Sequence, residues 1–414
     1  MLLRRKPLSA SPLLAKQEPL AHERKAPMLG LLLVTSAALL FGVVAACVKA
    51  IEMPTLVLQL CRSFIEWALG VGAALFYWRT GAARAQVRQE AEVEVIRNGG
   101  YYEPPTGPTP RSDPDDPEAA RSASVDRSGD PPSSLALLLI GPAHLRGWLV
   151  LRALLYWLFL ACWWFALAMM PIGDATTIVY IGPIFTATFA YLFLGESIDW
   201  TFYPIAALDA AGLLLITQPT FIFGSGGAAG AKDDGSYYIG ALSSFVSAVV
   251  AGLLPICTRK SKACFWTAVN HCSSALSALV FTPIAIGIWF MVDPEGPHKM
   301  VVSLGELLQP EEFMMVRTSS TGADGAEAID WQIGRWPLLL GATVTGFVGL
   351  ALQTLGYQLE EAARASLMTV LEIPFAYVLQ YALFREPMTP LGLCGVGLVI
   401  CGTVLNLIRR LQLK

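Results

Sequence analysis

The stretch MPIGDATTIVYIGPIFTATFAYLFLGE fills residues 170–196. It is apolar enough to lie in a bilayer, yet Gly182 and Pro183 stand at its middle. Proline lacks a backbone N–H, and its ring clashes with the preceding turn, so a helix here breaks or kinks. A second stretch, ARASLMTVLEIPFAYVLQYALFRE at 363–386, has the same character and carries Pro374 near its middle. The two align: Ala175 meets Ala365, Phe185 meets Phe375, Tyr191 meets Tyr381 and Glu196 meets Glu386. Gly212 then meets Gly402 in the same register.

The composition explains why such breaks matter. The chain of 414 residues is 54% hydrophobic and only 15% charged, where a soluble domain carries about 25% charge. Its apolar residues fall in blocks of roughly 20, the length that crosses a bilayer as helix. The net charge of -3 says little, because the distribution of Lys and Arg sets the orientation. Ten spans are expected, at 29–50, 56–78, 148–169, 175–194, 200–217, 237–257, 264–290, 336–358, 365–384 and 390–408. The third and fifth are the least uniform. The opening MLLRRKPLSASPLLAK lacks the apolar core of a secretory signal, and its basic, Ser-containing composition suits a plastid or mitochondrial transit segment. The eight cysteines form no C-x-x-C pair and only four histidines are present. Neither a disulfide framework, nor zinc, nor any other cofactor is expected.

Ten spans put both termini on one side. With the N-terminus cytosolic, that side gathers Arg4, Arg5, Lys6, Lys16, Arg24, Lys25, Arg79, Arg84, Arg88, TRKSK at 258–262, Arg409, Arg410 and Lys414. The opposite loops hold mainly Lys232, Lys299, Arg317, Arg335 and Arg385. This bias predicts cytosolic termini, in the plasma membrane, an endomembrane or a plastid envelope. The expected organisation is a basic tail (1–28), a first five-helix repeat (29–218), a Gly-rich linker (219–236), a second five-helix repeat (237–408) and a basic tail (409–414). Within the first repeat, the Pro-, Ser- and Asp-rich run at 80–135 cannot bury enough apolar surface to fold. Within the second, 291–335 reads as an irregular acidic external loop. GSGGAAGAKDDG at 224–235 is a flexible connection, and no G-K-[ST] follows to make it a phosphate loop.

The spans that open the halves also match. MLGLLLVTSAALLFGVVAACVKA (28–50) set beside YIGALSSFVSAVVAGLLPICTRK (238–260) pairs Gly30 with Gly240, Gly42 with Gly252, Cys47 with Cys257 and Lys49 with Arg259. An odd number of spans per half makes the second half enter from the opposite face. That is an inverted repeat, whose solute sites lie near the midplane beside interrupted helices. The matching breaks therefore predict an all-α, ten-helix membrane protein around a central cavity. An ordinary proline kink, covered by neighbouring helices, is the structural alternative.

These residues carry a resemblance. FGVVAACVKA (41–50), LCRSFIEWALG (60–70), DATTIVYIGPIFTATFAYLFLGE (174–196) and EEAARASLMTVLEIPFAYVLQYALFRE (360–386) resemble the drug/metabolite transporter superfamily with two EamA-type domains. LRGWLVLRALLYW (145–157) and LLLITQPTFIFGS (213–225) are most similar to its eukaryotic solute carrier family 35 branch, related to nucleotide-sugar transporters. The chain departs from the pattern where Ile373 separates Glu372 from Pro374 and where Arg385 replaces a glycine. The resemblance implies alternating access and a small organic solute, moved by exchange or by an ion gradient.

Ionisable groups inside spans cost about 2.5–3.5 kcal/mol at mid-helix and are functional candidates. Glu372 is expected to line the cavity and bind a cation or proton, or to pair structurally with a neighbouring helix. Arg62 and Glu66 share a face of span 2; they form an internal ion pair, or Arg62 meets an anionic solute with Glu66 holding it. Arg152 in span 3 faces an interface. Asp174 reads as the N-cap of span 4, Glu196 and Glu386 as helix-end contacts, and Asp209 as isolated. Gln59, Tyr180, Asn270, Gln353, Tyr357, Tyr377 and Gln380 complete the candidate set, each weighed against a role as helix glue. The small residues of GVVAAC (42–47) and GLCGVG (392–397) favour close helix packing.

The expected partners are a small organic solute and membrane lipid, with no nucleic acid, and a homodimer fits the sequence as well. An enzyme is not expected, since no H-E-x-x-H or paired-Asp cluster occurs. The alternative function is a transporter-like scaffold or regulator acting through the long cytosolic loop. Arg62 favours an anionic solute and Glu372 a cationic or zwitterionic one.

Overall fold

The computed structural model describes residues 28–51, 53–80, 135–223, 234–313, 315–321, 327–384 and 388–412. The N-terminal tail, nearly all of the Pro- and Ser-rich loop and most of the Gly-rich linker lie outside the described residues. So does Glu386, one of the expected helix-end contacts.

Every expected span is helical. The first half begins with α1 (Leu29–Ile51) and α2 (Thr55–Thr80), followed by the short α3 (Leu135–Ile140) and by α4 (Arg146–Met169). Helix α4 stops before Met170 and Pro171, because a residue preceding proline avoids the helical conformation. Then come α5 (Ile172–Val179), α6 (Gly182–Phe189), α7 (Phe202–Thr217) and the single turn α8 (Thr220–Phe223). The second half holds α9 (Asp234–Lys260), α10 (Trp266–Leu276), α11 (Thr282–Val292) and α12 (Gly296–Leu307). Strands β1 (Met315–Thr321) and β2 (Glu327–Ile333) precede α13 (Arg335–Leu359), α14 (Ala362–Met368), α15 (Glu372–Phe384) and α16 (Pro390–Gln412).

Eight helical stretches are long and apolar enough to cross a membrane, and Leu29–Ala45 and Phe202–Thr217 are shorter apolar helices. These two stand at the first and fifth expected spans. Helix α7 has 16 residues, about 24 Å of rise, against a hydrocarbon core of about 30 Å. It ends at Gln218, whose φ of 43° is left-handed, with Pro219 next.

Both expected breaks are present. Between α5 and α6 the chain makes a turn at Tyr180 and Ile181. Gly182 and Pro183 open α6, where the missing proline N–H would lack an intrahelical partner anyway. A wide π turn, Ala190–Leu194, carries the span to Gly195. In the second half a tight 3₁₀ turn, Thr369–Leu371, separates α14 from α15, and Pro374 sits in the first turn of α15.

The halves interlock. Helix α1 runs along α13 and touches α15, while α9 runs along α4 and touches α6. Helix α2 packs on α10, and α7 packs on α16. Each of these contacts joins opposite halves, and the two sets correspond under the alignment of the halves. The glycines show why. A Cβ on Gly42 would lie 2.8 Å from the Phe375 ring, and one on Gly252 would lie 2.6 Å from Cβ of Phe185. The aligned glycine of each half therefore receives the aligned phenylalanine of the other. The main buried apolar cluster joins Ile51, Leu58, Tyr156, Leu160, Trp164, Leu307, Leu339 and Leu350.

Three expectations are corrected. The 291–335 segment is not irregular: it contains α12 and an antiparallel hairpin in which Met315 pairs with Ile333 and Thr321 with Glu327. Pro297 starts α12, Leu307 enters the main cluster, and Trp336 Nε1 donates to the Leu307 carbonyl at 2.7 Å. Arg335 pairs with Glu306 at 2.8 Å. The described ends of the linker are helical, in α8 and the start of α9. Arg409 and Arg410 belong to the last turn of α16 rather than to a separate tail.

Candidate functional site

A line of polar side chains runs through the packed centre between the halves. On α2, Arg62 Nε donates to Glu66 Oε1 at 2.8 Å, one turn away. Arg62 Nη2 donates to the Tyr156 hydroxyl of α4 at 3.0 Å. Gly346 of α13 faces this pair: a Cβ there would lie 3.5 Å from Arg62 Nη2. The internal ion pair is thus the arrangement present. One turn before Arg62, Gln59 is buried with neither amide atom hydrogen-bonded among the described residues. Beside the pair, Ser63 and Ser277 share a 2.7 Å hydrogen bond between α2 and the turn after α10.

One turn before Tyr156 on α4 lies Arg152, also buried. Its Nε donates to Thr258 Oγ1 (3.0 Å) and its Nη1 to Ser273 Oγ (2.6 Å) and the Val269 carbonyl (3.4 Å). Its Nη2 donates to Thr354 Oγ1 (3.3 Å) and Asn270 Oδ1 (3.5 Å). Thr354 Oγ1 donates in turn to Asn270 Oδ1 at 3.0 Å. Helices α4, α9, α10 and α13 therefore meet on one guanidinium. The sequence placed Arg152 only at an interface; of its partners only Asn270 was a candidate, and Thr258, Ser273, Thr354 and the neighbouring Tyr156 carry no local signal.

The two breaks also meet. The Tyr180 hydroxyl, at the turn between α5 and α6, lies near the Glu372 carboxyl at the start of α15. Tyr180 packs beside Val370, Ile373, Leu213 and Val399. Pro183 and Pro374 stand in the first turns of the two helices that start beside these side chains.

The remaining candidates separate from these groups. Gln353 is half-buried on α13, next to Thr354. Tyr357 lies in an apolar cluster with Leu31, Val34, Ala365 and Met368. The Tyr377 hydroxyl accepts from the Thr389 backbone N–H at 3.0 Å and so secures the start of α16. The side chain of Gln380 lies outside the described residues. Asp174 is not an N-cap, because Pro171 holds that position. Its carboxylate accepts from the Thr220 N–H at 2.6 Å and from the Tyr237 hydroxyl at 3.0 Å, tying α5 to α8 and α9. Glu196 does make helix-end contacts, pairing with Arg259 at 2.8 Å and accepting from the Ala362 N–H at 2.9 Å. Burial pushes the Glu196 carboxyl up, against the pull of Arg259. Asp209 is buried with both oxygens unpartnered among the described residues, pressed on Gly402 of α16.

Gln59, Arg62, Glu66, Arg152 and Asn270 are all buried between the packed helices. Most of these groups are bonded to one another, whereas the Gln59 amide and Asn270 Nδ2 are buried without a partner among the described residues.

Residues 131–218 and 319–408 match the EamA-like transporter family. A probable transport protein of Saccharomyces cerevisiae is 25% identical over 268 residues, which span 64% of this chain and 68% of that protein. Solute carrier family 35 member G1 of Mus musculus is 27% identical over 283 residues, spanning 66% of this chain and 64% of that protein. The chain thus covers about two thirds of the length of these curated relatives. A protein of known crystal structure shares the fold at a TM-score of 0.53 and 15% identity, over 93% of this chain and 98% of that one. The eight apolar helices and the two EamA-like segments, one in each half, make the chain an integral multi-pass membrane protein, similar to drug/metabolite transporters and to solute carrier family 35.

Proposed function

We propose that the protein is a secondary-active transporter of a small organic metabolite, working by alternating access through exchange or ion coupling. The observation that carries this reading is the meeting of the two helix breaks, one from each half, at Tyr180 and Glu372. Helix breaks expose backbone acceptors, and in a bilayer such backbone is tolerated where protein buries it or where it lines a water-filled path, the second of which fits a transporter. Two five-helix inverted repeats, residues 29–218 and 237–408, are supported by the paired contacts of α1 with α13 and α9 with α4. The buried polar line fits an occluded arrangement between openings to either side. The relatives named as transport proteins and solute carriers support the same class, and the Lys and Arg distribution supports cytosolic termini.

Glu372 is the proposed coupling group and Tyr180 its gatekeeper, because the two must part for the halves to separate at the breaks. Arg62, Glu66, Gln59, Asn270 and Gln353 are the proposed solute-facing set. The test is counterflow in proteoliposomes. Pre-loaded solute should accelerate uptake of the labelled solute, and Glu372→Gln should abolish ion-driven uptake while sparing exchange. Equal loss or equal retention of both modes would remove Glu372 from coupling.

A further inference from the structure

We infer that Arg152 and Asn270 form an anion-binding subsite that takes the carboxylate or phosphate group of the transported solute. The inference rests on the transporter reading above and names the charge of its substrate, which Arg62 and Glu372 left open.

The charge count comes first. Arg62 and Glu66 neutralise each other at 2.8 Å. Arg152 is 5% exposed and, among the described residues, has no carboxylate within ion-pairing distance. All five of its contacts are neutral oxygens. Hydroxyls and carbonyls orient a guanidinium without cancelling its charge, so the polar line holds one more positive than negative charge. A buried cation lacking a counter-charge is costly in a bilayer and marks a solute or ion path.

Asn270 is the second, independent observation. Its Oδ1 is occupied by Thr354 and Arg152, but its Nδ2 is buried with no hydrogen-bond partner among the described residues. An amide so fixed by its oxygen points an unused donor beside the guanidinium. Buried donors are rarely left unpaired in folded proteins. A carboxylate or phosphate oxygen satisfies both demands, supplying a counter-charge to Arg152 and an acceptor to Asn270. The hydroxyls of Thr258, Ser273 and Thr354 are exchangeable partners, since each can rotate to donate to an entering anion. The guanidinium fork suits planar carboxylates and phosphates. A cationic solute would meet repulsion at the same place.

The test uses the full chain, purified in detergent and reconstituted in proteoliposomes, with succinate and glucose 6-phosphate as anionic probes. Glucose and spermidine serve as neutral and cationic controls. An anionic probe should raise the melting temperature by mass action, and Arg152→Gln should lose that rise and slow anion counterflow by about tenfold or more. Because Arg152→Gln removes contacts among four helices, Asn270→Asp provides the second variant. It places a carboxylate where the missing counter-charge belongs, so it should melt above the parent and no longer respond to either anion. Anion stabilisation without counterflow keeps the subsite and sinks the transporter reading. Counterflow of spermidine or glucose, unchanged in Arg152→Gln, keeps the transporter and sinks the subsite. An Asn270→Asp protein that melts lower and still responds to anions also overturns it. So does a rise produced by phosphatidic acid in the micelle but by neither soluble probe, which would assign the site to lipid.

Discussion

Arg62 and Arg152 are buried to nearly the same degree, 7% and 5% exposed, on neighbouring helices, and Tyr156 stands between them. Their surroundings differ in one respect. Arg62 owns a carboxylate one turn along its own helix, whereas Arg152 is held by uncharged oxygens from three other helices. The first is a local arrangement that α2 makes by itself. The second exists only when both halves are assembled. The contrast teaches that burial alone does not assign a role to an intramembrane charge; what matters is whether its compensation is built in.

Replacing Glu66 should produce the largest effect on this contrast. Glu66→Leu strips Arg62 of its partner and should destabilise the protein by about 3–5 kcal/mol, read as a lowered midpoint in denaturant titration of the purified protein. The double change Arg62→Met with Glu66→Leu should recover most of that loss, ending within about 1 kcal/mol of the parent. Were the double variant as unstable as the single one, the pair would be more than a self-compensating bridge. Tyr156→Phe removes the hydroxyl that accepts from Arg62 and should cost about 1.5–3 kcal/mol. A double-mutant cycle with Arg62→Met would isolate that bond, and a coupling near zero would place Tyr156 outside the network. The smallest effect belongs to Thr354→Val, which removes one of several hydroxyls around Arg152 and should cost about 0.6 kcal/mol by thermal melting. A much larger loss would mean that the neutral ring, rather than an anion, is what makes Arg152 tolerable.

The sequence made the helix breaks legible because proline acts locally: Pro183 and Pro374 mark their sites without help from the rest of the fold. The register of the halves was legible too. Gly42 and Gly252, and Phe185 and Phe375, were aligned by sequence alone, and the structure sets each glycine against the other half's phenylalanine. Arg62 and Glu66 were readable as one face because four residues make a helical turn. Arg152 was not, since Thr258 and Thr354 lie 106 and 202 residues away along the chain. Tyr377 misled for the opposite reason: a tyrosine in a broken span looks like a cavity group until its hydroxyl is found on the Thr389 backbone. The 291–335 segment was underread because its acidic composition masked a Gly-Pro helix start and the strand-length runs MVRTSST and EAIDWQI.

The interlocking of α1 with α13 and of α4 with α9 bears on how the protein is made. As the ribosome delivers the first half, α13 is not yet there to cover the seam of α1, and Arg152 has none of its partners from α9, α10 and α13. The nascent first half must therefore wait in the bilayer as an unfinished structure. Chain truncation or translational stalling before α13 would leave an intramembrane cation exposed to quality control. The arrangement that unites the two halves in the finished protein thus makes the order of their synthesis a point of vulnerability.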